Sequence, residues 1–254
     1  MTLLSLQAVT RRFGGLVAVD AVDLDVAEGG VTAVIGPNGA GKTTLFNLVS
    51  GFQTPDSGRI LFAGEDITAR PPEAIATAGI VRTFQLVQLF QNLSVLENIK
   101  VGCHLHTQGG LWSALLRTRR TRREEQEVEA RARELLQFVG LEAAPETEAS
   151  ALAYGQQRLL EIARSLAARP RLLLLDEPAA GLSADETKRL SGAIRAIAGR
   201  GTTVLLIEHD MKLVMNTADT IAVLDFGRKI AEGPPAMVRE SPPVIAAYLG
   251  VGHA

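Results

Sequence analysis

Residues 36–44, Gly36-Pro37-Asn38-Gly39-Ala40-Gly41-Lys42-Thr43-Thr44, join a glycine-rich turn to a lysine and two hydroxyls. Glycines let successive backbone N–H groups turn inward around an anion, where a Cβ would obstruct. At this spacing Lys42 would reach the β- and γ-phosphates of a nucleotide, and the Thr43 hydroxyl would coordinate Mg²⁺. The apolar run Val31–Ile35 before the loop reads as a buried strand. The run from Thr43, with Leu45, Phe46, Leu48 and Val49, reads as a helix whose N-terminus adds positive potential at the same place. That strand–loop–helix context marks a phosphate-binding loop, so the chain is expected to bind a nucleoside triphosphate.

A second site of possible chemistry is Arg171-Leu-Leu-Leu-Leu-Asp-Glu-Pro178, an apolar strand ending in two carboxylates. Asp176 at the strand end suits Mg²⁺ from beyond its direct ligands or through water. Glu177 points elsewhere and would orient the attacking water. In an open α/β sheet both strand ends would meet at one edge, where ligands sit. The third is LAYGQQRLLEIARSLA at 152–167, in which Gly155 and its neighbours open a helix with an N-terminus free to receive an anion. The phosphate loop already has its own helix. This second helix end is therefore expected to face a nucleotide held by another subunit.

The elements that must position these groups follow from periodicity. Residues 3–30 alternate, with Val19, Val22, Leu24 and Val26 against Asp20, Asp23 and Asp25, as half-buried antiparallel strands do. Ile60–Phe62 reads as a strand followed by a Gly64-Glu65-Asp66 turn. Pro71-Pro72 opens a helix, and Gly79–Arg82 enters a strand. Residues 86–168 change character and read as helical. They include a charged helix with Val128, Leu135, Leu136 and Val139 on one side, and a basic block, Arg117–Arg123, read as a solvated face or loop balanced by the glutamates that follow, with a lipid-headgroup or phosphate contact as the alternative. Leu172–Leu175 and Val204–Ile207 are short and wholly apolar, as in strands of a parallel sheet covered on both faces. A hairpin over 221–231 turns at Asp225–Arg228. No internal repeat interrupts this order, so a single unit is expected.

The formal net charge of −2 argues against a general nucleic-acid binder. One cysteine, Cys103, permits no internal disulfide and fits a reducing compartment. The opening MTLLSLQAVTRRFGG has no charged start, long apolar core or cleavage site, so no signal peptide is expected. No run approaches the roughly 20 apolar residues that cross a bilayer, so any link to a membrane would run through a partner.

Taken together, GPNGAGKTT, LAYGQQR, LLLLDEP and Ile207-Glu-His-Asp210 resemble the ATP-binding cassette family over nearly the whole chain. VRTFQ at 81–85, Leu89-Phe90, DEPAAGL at 176–182, IEHDMKLVM at 207–215 and AYLG at 247–250 resemble the longer of the two ATPase types in branched-chain amino-acid importers. The resemblance implies an α/β fold. It would have a P-loop NTPase core with a mixed parallel sheet, an N-terminal antiparallel β sub-domain and an inserted helical sub-domain. The expected division is 1–85 plus 169–254 for the first two and 86–168 for the helical part.

The resemblance also implies roles. Phe13 would stack on adenine, with a core aromatic beside Val17 and Val19 as the alternative. Gln85 would sense Mg²⁺ and γ-phosphate, and Tyr154, Gly155 and Gln156 would close over the partner's ATP. His209 would contact the γ-phosphate. The cofactors would be ATP and Mg²⁺, the latter held by Thr43, Gln85 and Asp176. The partners would be a second ATPase subunit, two membrane permease subunits and, indirectly, a solute-binding protein. The place would be the cytoplasmic face of the cell membrane. Three positions depart from the family pattern. Ala153 and Tyr154 stand for the serine and first glycine of the usual LSGGQ, although the LAYGQ form is shared with the importer group. Ser183 stands where many cassettes carry aspartate. A repair or translation factor would need a coiled-coil insertion, a second cassette or a basic face. A small-molecule kinase or switch would leave the signature helix without purpose. An export cassette shares all the core motifs.

Overall fold

The computed structural model describes residues 1–103 and 119–249. Arg117 and Thr118 of the basic block, and Gly250 of the AYLG run, lie outside the described residues. Strands β1 (Thr2–Phe13) and β2 (Leu16–Ala27) form a long antiparallel hairpin, and β3 (Val31–Ile35) leads through the glycine loop into α1 (Lys42–Val49). Strand β4 (Ser57–Phe62) returns to β1, and the two-residue β5 (Glu65–Asp66) ends a four-stranded sheet of order β2-β1-β4-β5. Next come α2 (Pro72–Ala78) and β6 (Ile80–Arg82), then three helices, α3 (Val95–Gly102), α4 (Arg119–Phe138) and α5 (Tyr154–Ala167). The chain continues as β7 (Leu172–Asp176), α6 (Ala184–Gly199), β8 (Thr203–Ile207), α7 (Met211–Thr217), the hairpin β9 (Thr220–Asp225) and β10 (Arg228–Gly233), α8 (Pro235–Arg239) and α9 (Pro242–Leu249).

The second sheet has the order β10-β9-β3-β8-β7-β6, parallel from β6 to β9 with β10 as an antiparallel edge. All five residues of β3, β7 and β8 are buried. Their side chains alternate between two cores. Val204 and Leu206 join Leu173, Leu175, Ile99, Leu160 and Ile194 on the face under α3–α6. Leu205 and Ile207 join Leu172, Leu174, Phe46, Leu24 and Ile60 on the face under α1 and the antiparallel sheet. Three layers result, and a strand sandwiched between two apolar faces has no polar side to show.

Helix starts follow local chemistry. Ser94 caps α3 and Ser183 caps α6, each in a reciprocal capping box, with Glu97 and Glu186 respectively. Ser183 therefore has a use of its own, since its hydroxyl supplies the acceptor an aspartate would supply at a helix N-cap. One expectation is corrected: Glu65 and Asp66 are paired strand residues rather than a turn. The reversal falls at Ala63 (φ 51°) and Gly64 (φ 83°), the two left-handed positions that a two-residue hairpin needs. Helices α8 and α9 carry no sequence expectation, being short and led by prolines at their first turns.

Candidate nucleotide-binding and hydrolysis site

Strands β3, β6, β7 and β8 run in one direction, so their carboxyl ends open on the same edge of the sheet. The glycine loop leaves β3 there. Gly36 (φ 149°) and Gly41 (φ 97°) could carry no side chain, because a Cβ would stand 2.0 Å from the Leu224 carbonyl oxygen and 2.2 Å from that of Ala18. Asn38, Gly39 and Thr43 are exposed, Pro37, Gly41 and Thr44 half-buried, and Gly36, Ala40 and Lys42 buried. Lys42 Nζ donates to the carbonyls of Gly36 (2.7 Å) and Pro37 (2.9 Å), so its ammonium lies within the loop's own curve. Burial lowers its pKa, opposed by the nearby charges of Glu177 and Asp176.

The two carboxylates at the end of β7 diverge. Asp176, 5% exposed, takes a salt bridge from Arg82 at 2.8 Å. Arg82 also donates to Asn47 Oδ1 (2.7 Å) and Ser50 Oγ (3.0 Å), and its guanidinium lies over the rings of Phe46, Phe52 and Phe84. Glu177 sits in the left-handed region at φ 44°, which swings its side chain off the strand line. One of its oxygens accepts from Gln85 Nε2 at 2.9 Å and has His209 Nδ1 at 3.7 Å. Three groups on three connections, after β6, β7 and β8, therefore meet at one carboxylate oxygen.

The structure brings together Gln85, Glu177 and His209, and sets Asp176 and Lys42 alongside. Tyr154, Gly155 and Gln156 stand at the start of α5, apart from the loop. That helix end is only partly open, because Gln156 Oε1 already accepts the Ala153 N–H at 3.1 Å. Gly155 is closed against the start of α6, where its Cβ would meet Glu186 Oε1 at 2.2 Å.

A family described as ABC transporter matches residues 19–180, which is most of the chain. The chain belongs to the ABC transporter family. A second family, described as branched-chain amino acid ATP-binding cassette transporter, matches residues 228–254 of the cassette. The cassette is 47% identical over 249 residues to the high-affinity branched-chain amino acid transport ATP-binding proteins BraF of Pseudomonas aeruginosa and LivG of Escherichia coli K12, covering 98% of each chain. It superposes with TM-score 0.85 on an ATP-binding cassette of an ABC transporter in its ADP conformation, at 35% identity and covering 98% of this chain and 99% of that one. The cassette is thus a nucleotide-binding ATPase subunit with the expected α/β fold.

Phe13 is not a core residue of the cassette. Its ring is 42% exposed at the tip of the β1–β2 hairpin, with the Arg11 guanidinium 5.0 Å from its centroid. It pairs with Leu16, and two residues on Ala18 abuts Gly41, so the hairpin tip lies toward the glycine loop. Phe13→Ala should raise the ATP KM about fivefold with kcat unchanged, since one aromatic stack is worth about 1 kcal/mol. A steady-state titration of ATP checks it.

Four residues that sequence reasoning passed over support the cassette's site. Arg82 stands in the VRTFQ run but shows its role only through Asp176. Glu208, wholly buried, accepts the backbone N–H groups of Ala179, His209 and Asp210, fixing the loop after Glu177 to the turn that carries His209. Burial pushes its carboxyl pKa up and those three N–H groups oppose the shift. Arg158 and Glu161 form an ion pair at 2.9 Å, each side chain 1% exposed. A charged residue one or two helical turns into an apolar stretch is the signal that could have found them, because burial of such a group demands partners.

Among the described residues no three His, Cys, Asp or Glu side chains gather as a metal cage. Mg²⁺ takes one or two protein oxygens together with waters and phosphates; Thr43 and Gln85 carry such oxygens, and Asp176 would act through water. A groove of about 790 Å³ runs beside α3 and α5, lined by Gln88, Leu89, Phe90, Val101, Gly102 and Arg164. No helix among the described residues is long and apolar enough to cross a membrane.

Proposed function

We propose that the cassette hydrolyses ATP to power an importer of branched-chain amino acids. The observation that carries the catalytic part is the convergence of Gln85 and His209 on Glu177 beside the glycine loop. Lys42 and the loop amides hold the triphosphate, and Phe13 stacks on the adenine. Thr43, Gln85 and Asp176 would hold Mg²⁺, which would supply charge neutralisation on the phosphates. Glu177 accepts a proton from the attacking water and His209 steadies the γ-phosphate, in the in-line geometry that phosphoryl transfer requires. Burial of Arg82 against Asp176 supports this reading, because it aims one carboxylate while leaving Glu177 to the water.

The helical segment 86–168 and the remainder, 1–85 with 169–254, act as two bodies. Two cassettes enclose two ATPs, each using its own glycine loop and the other's Tyr154-Gly155-Gln156. The partners are a second ATPase subunit, two permease subunits and, through them, a solute-binding protein, at the cytoplasmic face of the membrane. The groove at Leu89 and Phe90 takes the permease, and the exposed side chains of Leu86 (79%) and Phe90 (50%) support that use. The match of residues 228–254 and the names of the 47% identical relatives support the substrate.

Affinity purification of the tagged chain from detergent-solubilised membranes tests the reading. Two hydrophobic permeases and a second cassette should be recovered. Recovery of the chain alone from the soluble fraction would withdraw the transport assignment.

A further inference from the structure

The start of α5 is wired to the hydrolysis site of its own subunit. Tyr154 Oη lies 3.2 Å from Arg158 Nη2, and the same nitrogen donates to the Gln85 carbonyl at 2.6 Å. Arg158 Nη1 donates to the Phe84 carbonyl and to Glu161 Oε2, both at 2.9 Å. Glu161 Oε1 in turn accepts the Gln88 N–H at 3.1 Å. One fully buried ion pair thus grips the backbone on both sides of Gln85, whose side chain donates to Glu177. The Tyr154 ring also lies against Gly181 in the loop after Glu177, where a Cβ would stand 3.3 Å from Cε1. A residue with 43% of its surface exposed at the helix start is therefore two hydrogen-bonded steps from the backbone that positions Gln85.

A glycine at position 154 could make none of these contacts. The arrangement also has a single geometry. Arg158 is a planar fork committed to two carbonyls and a carboxylate, so displacing Tyr154 moves Gln85 rather than being absorbed by solvent.

We propose that Tyr154, acting through Arg158, is a positioning residue for hydrolysis: engagement of the nucleotide on the partner subunit sets Gln85 against Glu177 in this one. The proposal rests on the reading that the start of α5 faces the partner's ATP. Such a relay makes the two sites of a dimer hydrolyse interdependently, and it supplies a link between them at a position where Ser183 is occupied with capping α6.

The test is steady-state ATP hydrolysis by the purified full chain. Tyr154→Phe removes only the hydroxyl, and the melting temperature should be unchanged. Loss of one hydrogen bond that acts in the transition state should lower kcat about three- to tenfold with KM within about twofold, and bring the Hill coefficient for ATP toward 1. Arg158→Lys keeps the charge but not the fork, and should lower kcat in the same direction. Tyr154→Phe added to Gln85→Ala should cost nothing more than Gln85→Ala alone, because both act in one chain of contacts. Wild-type kcat and Hill coefficient in Tyr154→Phe, or losses that simply multiply in the double variant, would overturn the relay. The underlying reading is checked separately by light scattering of Glu177→Gln with ATP. No dimer there withdraws the trans arrangement, whereas a dimer with multiplying losses withdraws the relay alone.

Discussion

Glu177→Gln should bind ATP as tightly as the native cassette and hydrolyse it about a hundred- to a thousandfold more slowly. The substitution keeps the shape and removes the base. The amide can still present an oxygen to Gln85 Nε2, so the contact at 2.9 Å need not be lost. It cannot accept a proton from water, and general-base assistance of this kind is worth roughly 10²–10⁴ in rate. The backbone at φ 44° is already strained for any residue with a Cβ, so glutamine adds no new conformational cost. Removing a negative charge next to Lys42 also leaves the loop more positive, which favours the bound triphosphate. Size-exclusion chromatography with ATP should then show a stable closed dimer. Normal turnover in this variant would remove Glu177 from the catalytic role.

Lys42→Ala should weaken ATP binding by about a hundredfold or more, measured by calorimetry or a fluorescent analogue. Two charge-assisted hydrogen bonds to phosphate oxygens, each worth about 1.5–3 kcal/mol, set that scale. The truncation also leaves the Gly36 and Pro37 carbonyls without the donor they hold in this structure. In the native cassette burial lowers the Lys42 pKa. Its ammonium therefore deprotonates at lower pH than an exposed lysine, and ATP affinity should fall as pH rises through that range. Phosphate supplies the anion that burial denies, so bound nucleotide should shift the fall to higher pH. Retained micromolar affinity in Lys42→Ala would sink the phosphate-loop assignment.

What was legible in the sequence had local causes. The glycine loop is nine consecutive residues, and its strand and helix are read from the runs beside it. β7 and β8 announce themselves because burial on both faces leaves no polar position. The parts that escaped depend on tertiary approach. Arg82 reads as an ordinary strand-end charge until Asp176, 94 positions later, is seen to neutralise it. Arg158 reads as the polar side of an amphipathic helix, yet it is 0% exposed because Phe84 and Gln85 turn their carbonyls toward it. For Phe13 only the alternative of a core aromatic beside Val17 and Val19 is set aside, since the residue is 42% exposed. Alternation in β1 gave it a core alternative, but the strand ends there and the ring faces outward. The division of the chain near residues 85 and 168 came from a change in composition; helices α3, α4 and α5 contact one another.

The order β9-β3-β8 has a consequence for how the protein is made. Strand β3, which carries the phosphate loop, lies between β8 and β9 in the sheet, through pairs such as Val31↔Val204 and Ala33↔Ile221. A ribosome delivers β3 well ahead of β8, and the edges of β3 stay open until Val204, the partner of Val31, has emerged. Contacts so distant in sequence form slowly, and unpaired apolar strands in waiting chains invite association. The capacity to hold nucleotide therefore waits for β8 and β9, and a chain released before β8 would carry the complete phosphate motif without the parallel neighbours of β3.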